Sequence, residues 1–474
     1  MTGLLSRLAA IIGERNVLTD GASMTPYVND WLGKYHGAAQ AVVRPGSAAE
    51  VAAILAVCRE TGTPIVPQGG NTSMSGGATP DASGSAVVLS LTRMNGIREI
   101  DPIGNTITVD AGVVLSHVHS AAKEVGRHFP LSLGAEGSCT IGGNLATNAG
   151  GVAVLRYGTM RELTLGLEVA LPDGRIWDGL TALRKDNTGY ALRDLFIGSE
   201  GTLGIITGAV LKLFPEPKAR ATALVAVRDA ETALSLLAVV RDKCGDRLTA
   251  FEFMTDACIN LVLRHVADAR IPFGAIPPAL VLVELSDTDD DAALNARLED
   301  ALVTASEAEL ALDATIAQDI AQARVFWRLR EGISEALVRE GKAAKHDISV
   351  PVARMAQFIA AADRAVAAIS PGVRHVVFGH LGDGNLHYNL LRATDMSEAD
   401  FTVLAPRLTR VVHDEAKACR GSISAEHGIG QLRVGDMPRY KAPIELELMA
   451  ALKGLFDPAE LLNPGKLLPL SEKQ

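Results

Sequence analysis

No C-x-x-C pair, no excess of basic residues and no long uninterrupted apolar run occur in this chain of 474 residues. The five cysteines, Cys58, Cys139, Cys244, Cys258 and Cys419, are odd in number and widely scattered. Neither a disulfide framework nor a zinc knuckle is expected from them, and a reducing, cytoplasmic setting fits best. The 55 acidic and 45 basic side chains leave a formal net charge of −10, without the cation surplus that neutralises phosphates along a nucleic acid. Charged residues interrupt every hydrophobic segment before it reaches the roughly 20 apolar residues that span a bilayer, so no transmembrane segment is expected. Met1 to Asn16 reads as an amphipathic surface helix, lacking the basic start and small-residue cleavage site of a secretory signal. With 48% hydrophobic and 21% charged residues, the composition is that of a globular protein of two or three domains.

The first half is rich in glycine and short apolar runs. Ala41 to Arg44 reads as a strand, Ser47 to Glu50 as a capping box opening a helix that ends at Gly62, and Pro64 to Pro67 as the next strand. Further strands are expected at Ala86 to Leu89, Thr106 to Ala111 and Gly204 to Leu213, a helix from about Val113 to Val125, and a hairpin turned on Pro172-Asp173-Gly174. Pro215-Glu216-Pro217 marks a boundary, because two prolines this close cannot continue a helix or a central strand. Beyond it, strands at Ala221 to Val227, Leu248 to Phe253 and Leu280 to Leu285 alternate with helices at Ala230 to Lys243, Ala292 to Glu307, Asp319 to Glu340 and Val352 to Ile369. The acidic run Asp287 to Asp291 reads as a solvated loop and helix start. This texture suggests an antiparallel sheet covered by helices.

Three constellations could carry chemistry. Two glycine loops, Gln68 to Gly77 and Gly134 to Asn144, would let backbone N–H groups approach a pyrophosphate, with Asn71, Thr72, Ser73 and Ser75 as further donors. Either loop alone is more often just a tight connection, and neither has Rossmann or Walker A spacing. The second constellation is the segment from Val376 to Asn389. A two-residue turn at Asp383-Gly384 would set His380 opposite His387, with Asn389 on the same face. An isolated pair of this kind is more simply two surface histidines. Glu426 changes the balance, since it can complete two imidazoles and a carboxylate around a divalent ion with open positions, leaving His427 as a candidate base. Such N/O ligands suit Zn first, with Mn, Co or Fe as alternatives. In the third, Arg330 and Ser334 share a helix face four residues apart, ahead of Lys345, although an Arg at such spacing is usually just solvated.

The chain resembles the FAD-linked dehydrogenases of the vanillyl-alcohol-oxidase type, in the branch of D-lactate, glycolate and D-2-hydroxyglutarate dehydrogenases. The carriers are VVRPGSAAEV (Val42 to Val51), PQGGNTSMSGGA (Pro67 to Ala78), SCTIGGNLATNAGG (Ser138 to Gly151), RYGTMRE (Arg156 to Glu162), FIGSEGTLGIIT (Phe196 to Thr207), GHLGDGNLHYN (Gly379 to Asn389), SAEHGIG (Ser424 to Gly430) and LNPGKLLP (Leu462 to Pro469). The resemblance implies an α+β protein with an FAD-binding domain over residues 1–218, to which 456–474 return, and a substrate domain over 219–455 with an antiparallel sheet.

By the same resemblance, Pro67, Gln68, Gly69, Gly70, Asn71, Thr72, Ser73, Ser75 and Gly76 bind the pyrophosphate and flavin. So do Ser132, Gly134, Cys139, Thr140, Gly142, Gly143, Asn144, Ala146, Thr147, Asn148 and Gly150. Gly201 and Ile206 lie against the adenosine part, and Asn463 joins the cofactor set. The first loop has no His or Cys, and Cys139 stands where the branch commonly has an unbonded Cys, so FAD is expected to be non-covalent. His380, His387 and Glu426 match the metal ligands and His427 the catalytic base, which also touches substrate with Asn389. Arg330, Ser334 and Lys345 match the grip on a substrate carboxylate in the D-2-hydroxyglutarate version, Ser334 replacing a Thr. The implied activity is oxidation of a D-2-hydroxy acid, D-2-hydroxyglutarate before D-lactate, D-malate or glycolate, with electrons leaving to an electron-transfer flavoprotein or quinone. The rivals are a metal-dependent hydrolase or oxygenase and a non-enzymatic flavoprotein subunit. The oligomeric state is left open, with a homodimer as one option.

Overall fold

The structure, a computed structural model, describes residues 3–288 and 290–470. Met1 and Thr2 of the expected N-terminal helix, Asp289 of the acidic run and the last four residues of the returning segment lie outside them. The chain divides into two compact units. One holds the chain up to Gly151, Gly158–Glu216 and the chain from Glu426 onward; the other holds Val152–Tyr157 and Pro217–Ala425. The return therefore begins at Glu426 and not at 456. Its cause is a set of backbone ties inside the first unit: Glu200 accepts from the N–H groups of Ile429 and Gly430, and the Ser75 carbonyl accepts from Leu432.

The first unit holds two main sheets. The four-stranded one runs Val17–Leu18, Ala41–Val43, Val87–Ser90, Ile65–Gln68, with its last three strands parallel. Between two of these strands the helix Ala48–Thr61 starts at Ser47, whose hydroxyl accepts from Glu50 N, and stops at Gly62 in a left-handed conformation (φ 64°). That β-α-β crossover delivers Gln68 straight into the first glycine loop. The five-stranded sheet is antiparallel, in the order Ile97–Asp101, Thr106–Asp110, Ile205–Lys212, Thr164–Ala170, Ile176–Gly179. Its last pair is the hairpin expected at Pro172-Asp173-Gly174.

The second unit is built on one antiparallel sheet. The order is Asp313–Ile316, Ala219–Val227, Ala279–Asp287, Leu248–Thr255, Arg374–Gly379, Asn385–Leu391, and the last of these also pairs with Ala343–Ala344 and Asp347–Ser349. Its strands read as continuous apolar runs because both faces are covered. Ala221, Ala223, Val225, Val281, Val283, Phe251 and Phe253 belong to one core cluster, which includes residues of the helices Ala230–Cys244, Asp291–Glu307, Met355–Ile369 and Glu398–Ala418. The alternate residues Leu224, Ala226, Leu280, Leu282 and Met254 face a second cluster with the helices Asp256–His265 and Ile320–Glu340. Each fully buried Leu, Val or Phe contributes roughly 1.5–3 kcal/mol relative to exposure, which makes any charged residue on these faces conspicuous.

Candidate functional site

In the first unit the two glycine loops lie directly against each other. A Cβ on Gly70 would stand 1.9 Å from Ser138 O, and one on Gly69 would stand 2.2 Å from Thr140 Oγ1, so no larger residue fits either position without displacing the partner loop. Gly201 is similarly pressed onto Pro67, where its Cβ would come within 2.5 Å of the ring. Gly142, Gly143, Asn144 and Ala146 form the short helix Ile141–Ala146, and Thr147 and Asn148 follow it. The Asn148 amide oxygen accepts from Thr159 Oγ1 and Arg161 N, while Ser132 Oγ donates to Glu136. Gly150 and Ile206 are buried, and Gly134 is open around its Cα.

Several donors expected for phosphate are committed within the protein. Gln68 Nε2 donates to the carbonyls of Tyr27 and Ala78, Asn71 Nδ2 to those of Pro26 and Asn29, and Ser75 Oγ to the carbonyl of His427. Ser73 Oγ accepts from the Ser75 and Gly77 N–H groups and shapes the loop. These side chains fix the path of the loop through bonds within the protein. In contrast, Thr140 Oγ1 and Asn463 Oδ1 are buried without a hydrogen-bond partner, although Asn463 Nδ2 donates to the carbonyls of Gly77 and Glu200. Orphaned polar atoms beside two interlocked glycine loops fit a polar cofactor. Burial pushes the Cys139 thiol up, against the Asn144 amide 3.6 Å from Sγ, which keeps it protonated.

Glu200 organises the segment that carries His427. It is 8% exposed, sits at φ 51°, and receives Ile429 N at 2.7 Å and Gly430 N at 2.8 Å. Burial pushes its carboxyl up while those two N–H groups pull it down. With Ser75 Oγ on the His427 carbonyl at 3.0 Å, the half-buried Glu426-His427 pair is fastened to the first glycine loop through backbone atoms.

In the second unit the expected hairpin has a different register. Phe378, not His380, stands opposite His387, because the turn is wider than two residues: the His380 carbonyl accepts from the N–H groups of Asp383, Gly384 and Asn385. The imidazoles still converge, with ring centroids 5.8 Å apart and ligand nitrogens within 4.8 Å of one another. Asn389 is buried two residues along the strand from His387, and its Nδ2 donates to the His387 carbonyl. Asp347, paired with His387 across strands, lies with Oδ1 3.8 Å from His387 Nδ1, and its carbonyl accepts from Ala425 N.

Beside these histidines stands a carboxylate that sequence reasoning missed. Glu252 is 0% exposed; Oε1 is 2.6 Å from His380 Nδ1 and Oε2 is 2.6 Å from Arg330 Nε. Burial alone would raise its carboxyl, but His380 and Arg330 outweigh that and hold it at about 2. An ionised carboxylate only accepts, so His380 donates from Nδ1, and in the neutral ring the lone pair then lies on Nε2. That tautomer fits a divalent cation. Arg330 is 8% exposed and its guanidinium lies 4.7 Å over the Phe378 ring, yet among the described residues its two terminal nitrogens take no hydrogen bond. The readable signal was a lone Glu in the strand LTAFEFMT, whose alternate neighbours face apolar cores on both sides. Arg330 is thus paired, while Ser334, four residues along the same helix, and Lys345 are exposed.

The family described as "FAD binding domain" matches residues 39–179, and "FAD linked oxidases, C-terminal domain" matches residues 216–467. The chain is 40% identical over 468 residues to a protein of Oryza sativa subsp. japonica named "Probable D-2-hydroxyglutarate dehydrogenase, mitochondrial", covering 98% of this chain and 82% of that one. It is also 40% identical over 449 residues to the "D-2-hydroxyglutarate dehydrogenase" of Xanthomonas citri pv. viticola, covering 95% and 93%. A solved structure of p-cresol methylhydroxylase with substrate bound superposes with a TM-score of 0.79 at 16% identity, over 99% of this chain and 97% of that one, which places the fold in the PCMH type. The cytoplasmic setting inferred from cysteines is overturned: the rice protein and further plant and animal relatives are named mitochondrial. Five buried cysteines outside disulfides do not identify a compartment. Among the described residues no helix is long and apolar enough to cross a membrane.

Proposed function

The chain belongs to the FAD-linked oxidases as an FAD-dependent D-2-hydroxy-acid dehydrogenase, and from that premise we propose that its substrate is D-2-hydroxyglutarate, oxidised to 2-oxoglutarate. Membership sets aside the hydrolase, oxygenase and non-enzymatic readings. The observation that carries the choice of substrate is Arg330. Its Nε is tied to Glu252, and its two terminal nitrogens take no hydrogen bond among the described residues. A planar guanidinium edge matches a carboxylate bidentately. A monocarboxylate engaged at its reacting end leaves that edge empty, whereas a dicarboxylate fills it.

When bound, FAD supplies the hydride acceptor and a divalent cation, zinc before Mn, Co or Fe, supplies Lewis acidity toward the C2 hydroxyl. His380 and His387 hold the cation through imidazole nitrogen with Glu426 as the carboxylate ligand. His427 takes the proton from the C2 hydroxyl. Arg330 grips the distal carboxylate, with Ser334 and Lys345 as its helpers, and Asn389 orients the reacting end. The FAD is non-covalent, in keeping with the buried, protonated Cys139. Electrons leave to an electron-transfer flavoprotein or a quinone and not to NAD.

The test is a comparison of kcat/KM for D-2-hydroxyglutarate and D-lactate with an artificial electron acceptor, in wild type and Lys345→Met. The expected result is a wild-type preference for the dicarboxylate that shrinks in the variant. A preference for lactate, or equal losses on both substrates, overturns the assignment.

A further inference from the structure

Glu252 is a fully buried carboxylate on a strand face otherwise covered by apolar side chains, and each of its oxygens has one charge-assisted partner. Burying such a group costs several kcal/mol unless both oxygens are well satisfied, and a hydrophobic residue would fill the same space at no such cost. The two partners are not equivalent to each other. One is His380, held through Nδ1; the other is Arg330, held through Nε, with no hydrogen bond at its two terminal nitrogens among the described residues. Glu252 thus fixes each of them at one nitrogen, and the ring so fixed on His380 is grouped with His387 among side chains that could hold a metal ion.

We propose that Glu252 is the positioning residue shared by two tasks: it sets the tautomer and ring orientation of His380 for a divalent cation, and it aims the Arg330 guanidinium at the distal carboxylate of the substrate. The proposal rests on the reading of His380 as a metal ligand and of Arg330 as a substrate anchor. Its consequence is that a single carboxylate couples metal affinity to selectivity for a dicarboxylate. A carboxylate behind a ligating imidazole typically contributes about 10- to 100-fold in metal affinity. A purely structural ion pair would leave both quantities unchanged once the protein folds.

The experiment uses FAD-loaded, metal-stripped enzyme titrated with Zn2+ by calorimetry and with Co2+ by visible absorption, for wild type, Glu252→Gln and His380→Ala. Glu252→Gln is expected to bind both ions about 10- to 100-fold more weakly while its flavin spectrum is unchanged. At saturating metal its KM for D-2-hydroxyglutarate should rise about tenfold, with a smaller change for D-lactate, and Glu252→Asp should recover part of both losses. If Glu252→Gln does not fold, the double variant Glu252→Gln/Arg330→Met removes the stranded cation and carries the metal titration alone. Metal affinity within about twofold of wild type, where His380→Ala has lost it, overturns the role of Glu252. Wild-type affinity in His380→Ala as well overturns the metal reading beneath it.

Discussion

The two units reach function by opposite means. In the first, the features that point to a cofactor are made of backbone: interlocked glycine loops, positive φ at Asn71 (54°) and Glu200 (51°), and carbonyls and N–H groups tied by Gln68, Asn71, Ser75 and Glu200. In the second, they are made of side chains on a sheet face, the row Arg330, Glu252, His380, His387, held by charge. A backbone-built region fails by steric intrusion and is nearly indifferent to charge. A charge-built region fails by loss of one partner and tolerates changes of shape poorly only where a donor is stranded.

That contrast can be broken by substitution. The largest effect is expected from His427→Ala, which removes the one side chain in the first unit assigned to proton transfer. Flavin reduction in stopped flow should slow by roughly a hundredfold or more, with FAD still bound and substrate affinity less changed. A nearly unaltered reduction rate would place the base elsewhere. Next comes Gly70→Ala, whose methyl group meets Ser138 O at 1.9 Å. Overpacking of roughly 1–3 kcal/mol should weaken FAD binding about tenfold to a hundredfold, read from flavin retained on dialysis, while Zn2+ binding stays the same. Metal binding that falls in step with FAD would erase the distinction between the regions.

The smallest effect concerns Glu340, at the end of the helix Ile320–Glu340, which pairs with Arg374, His265 and Arg264. The hydrogen bond from Arg374, followed by those of its other partners, holds the carboxyl at about 2, below its ordinary value. A depressed carboxyl contributes stability that is present above the unfolded value near 4.5 and is lost as pH falls toward 2. Glu340→Gln should therefore lower the unfolding temperature at neutral pH by about 2–4 °C, as roughly 1 kcal/mol does in a unit of this size, and flatten the acid limb between those values. An unchanged acid limb would mean that the cluster contributes nothing to stability.

Much of the fold could be read from local pattern. The helix over Ala48–Thr61 carries its start at Ser47 and its stop at Gly62 in its own sequence, and the strands Ala219–Val227 and Ala279–Asp287 are runs of apolar residues that only a doubly covered sheet accommodates. The glycine loops were legible for the same reason, since close approach of backbone demands glycine wherever it occurs. The hairpin was legible in part: His380 and His387 do come together, but through a wider turn in which Phe378 takes the cross-strand position.

What the amino-acid sequence determined by itself, then, was whatever depends on neighbours along the chain: caps, turns, strand runs, the glycine loops and the motifs that mark an FAD-linked dehydrogenase. What only the tertiary structure decided was which charges meet. Glu252 finds Arg330 at a separation of 78 residues and His380 at 128, and Glu200 finds Ile429 at 229. The first two pairings follow from strand register and the packing of a helix onto a sheet face, the third from two loops meeting, and the free energy that selects them, the avoided burial of an unpaired carboxylate, exists only once the chain has closed around it.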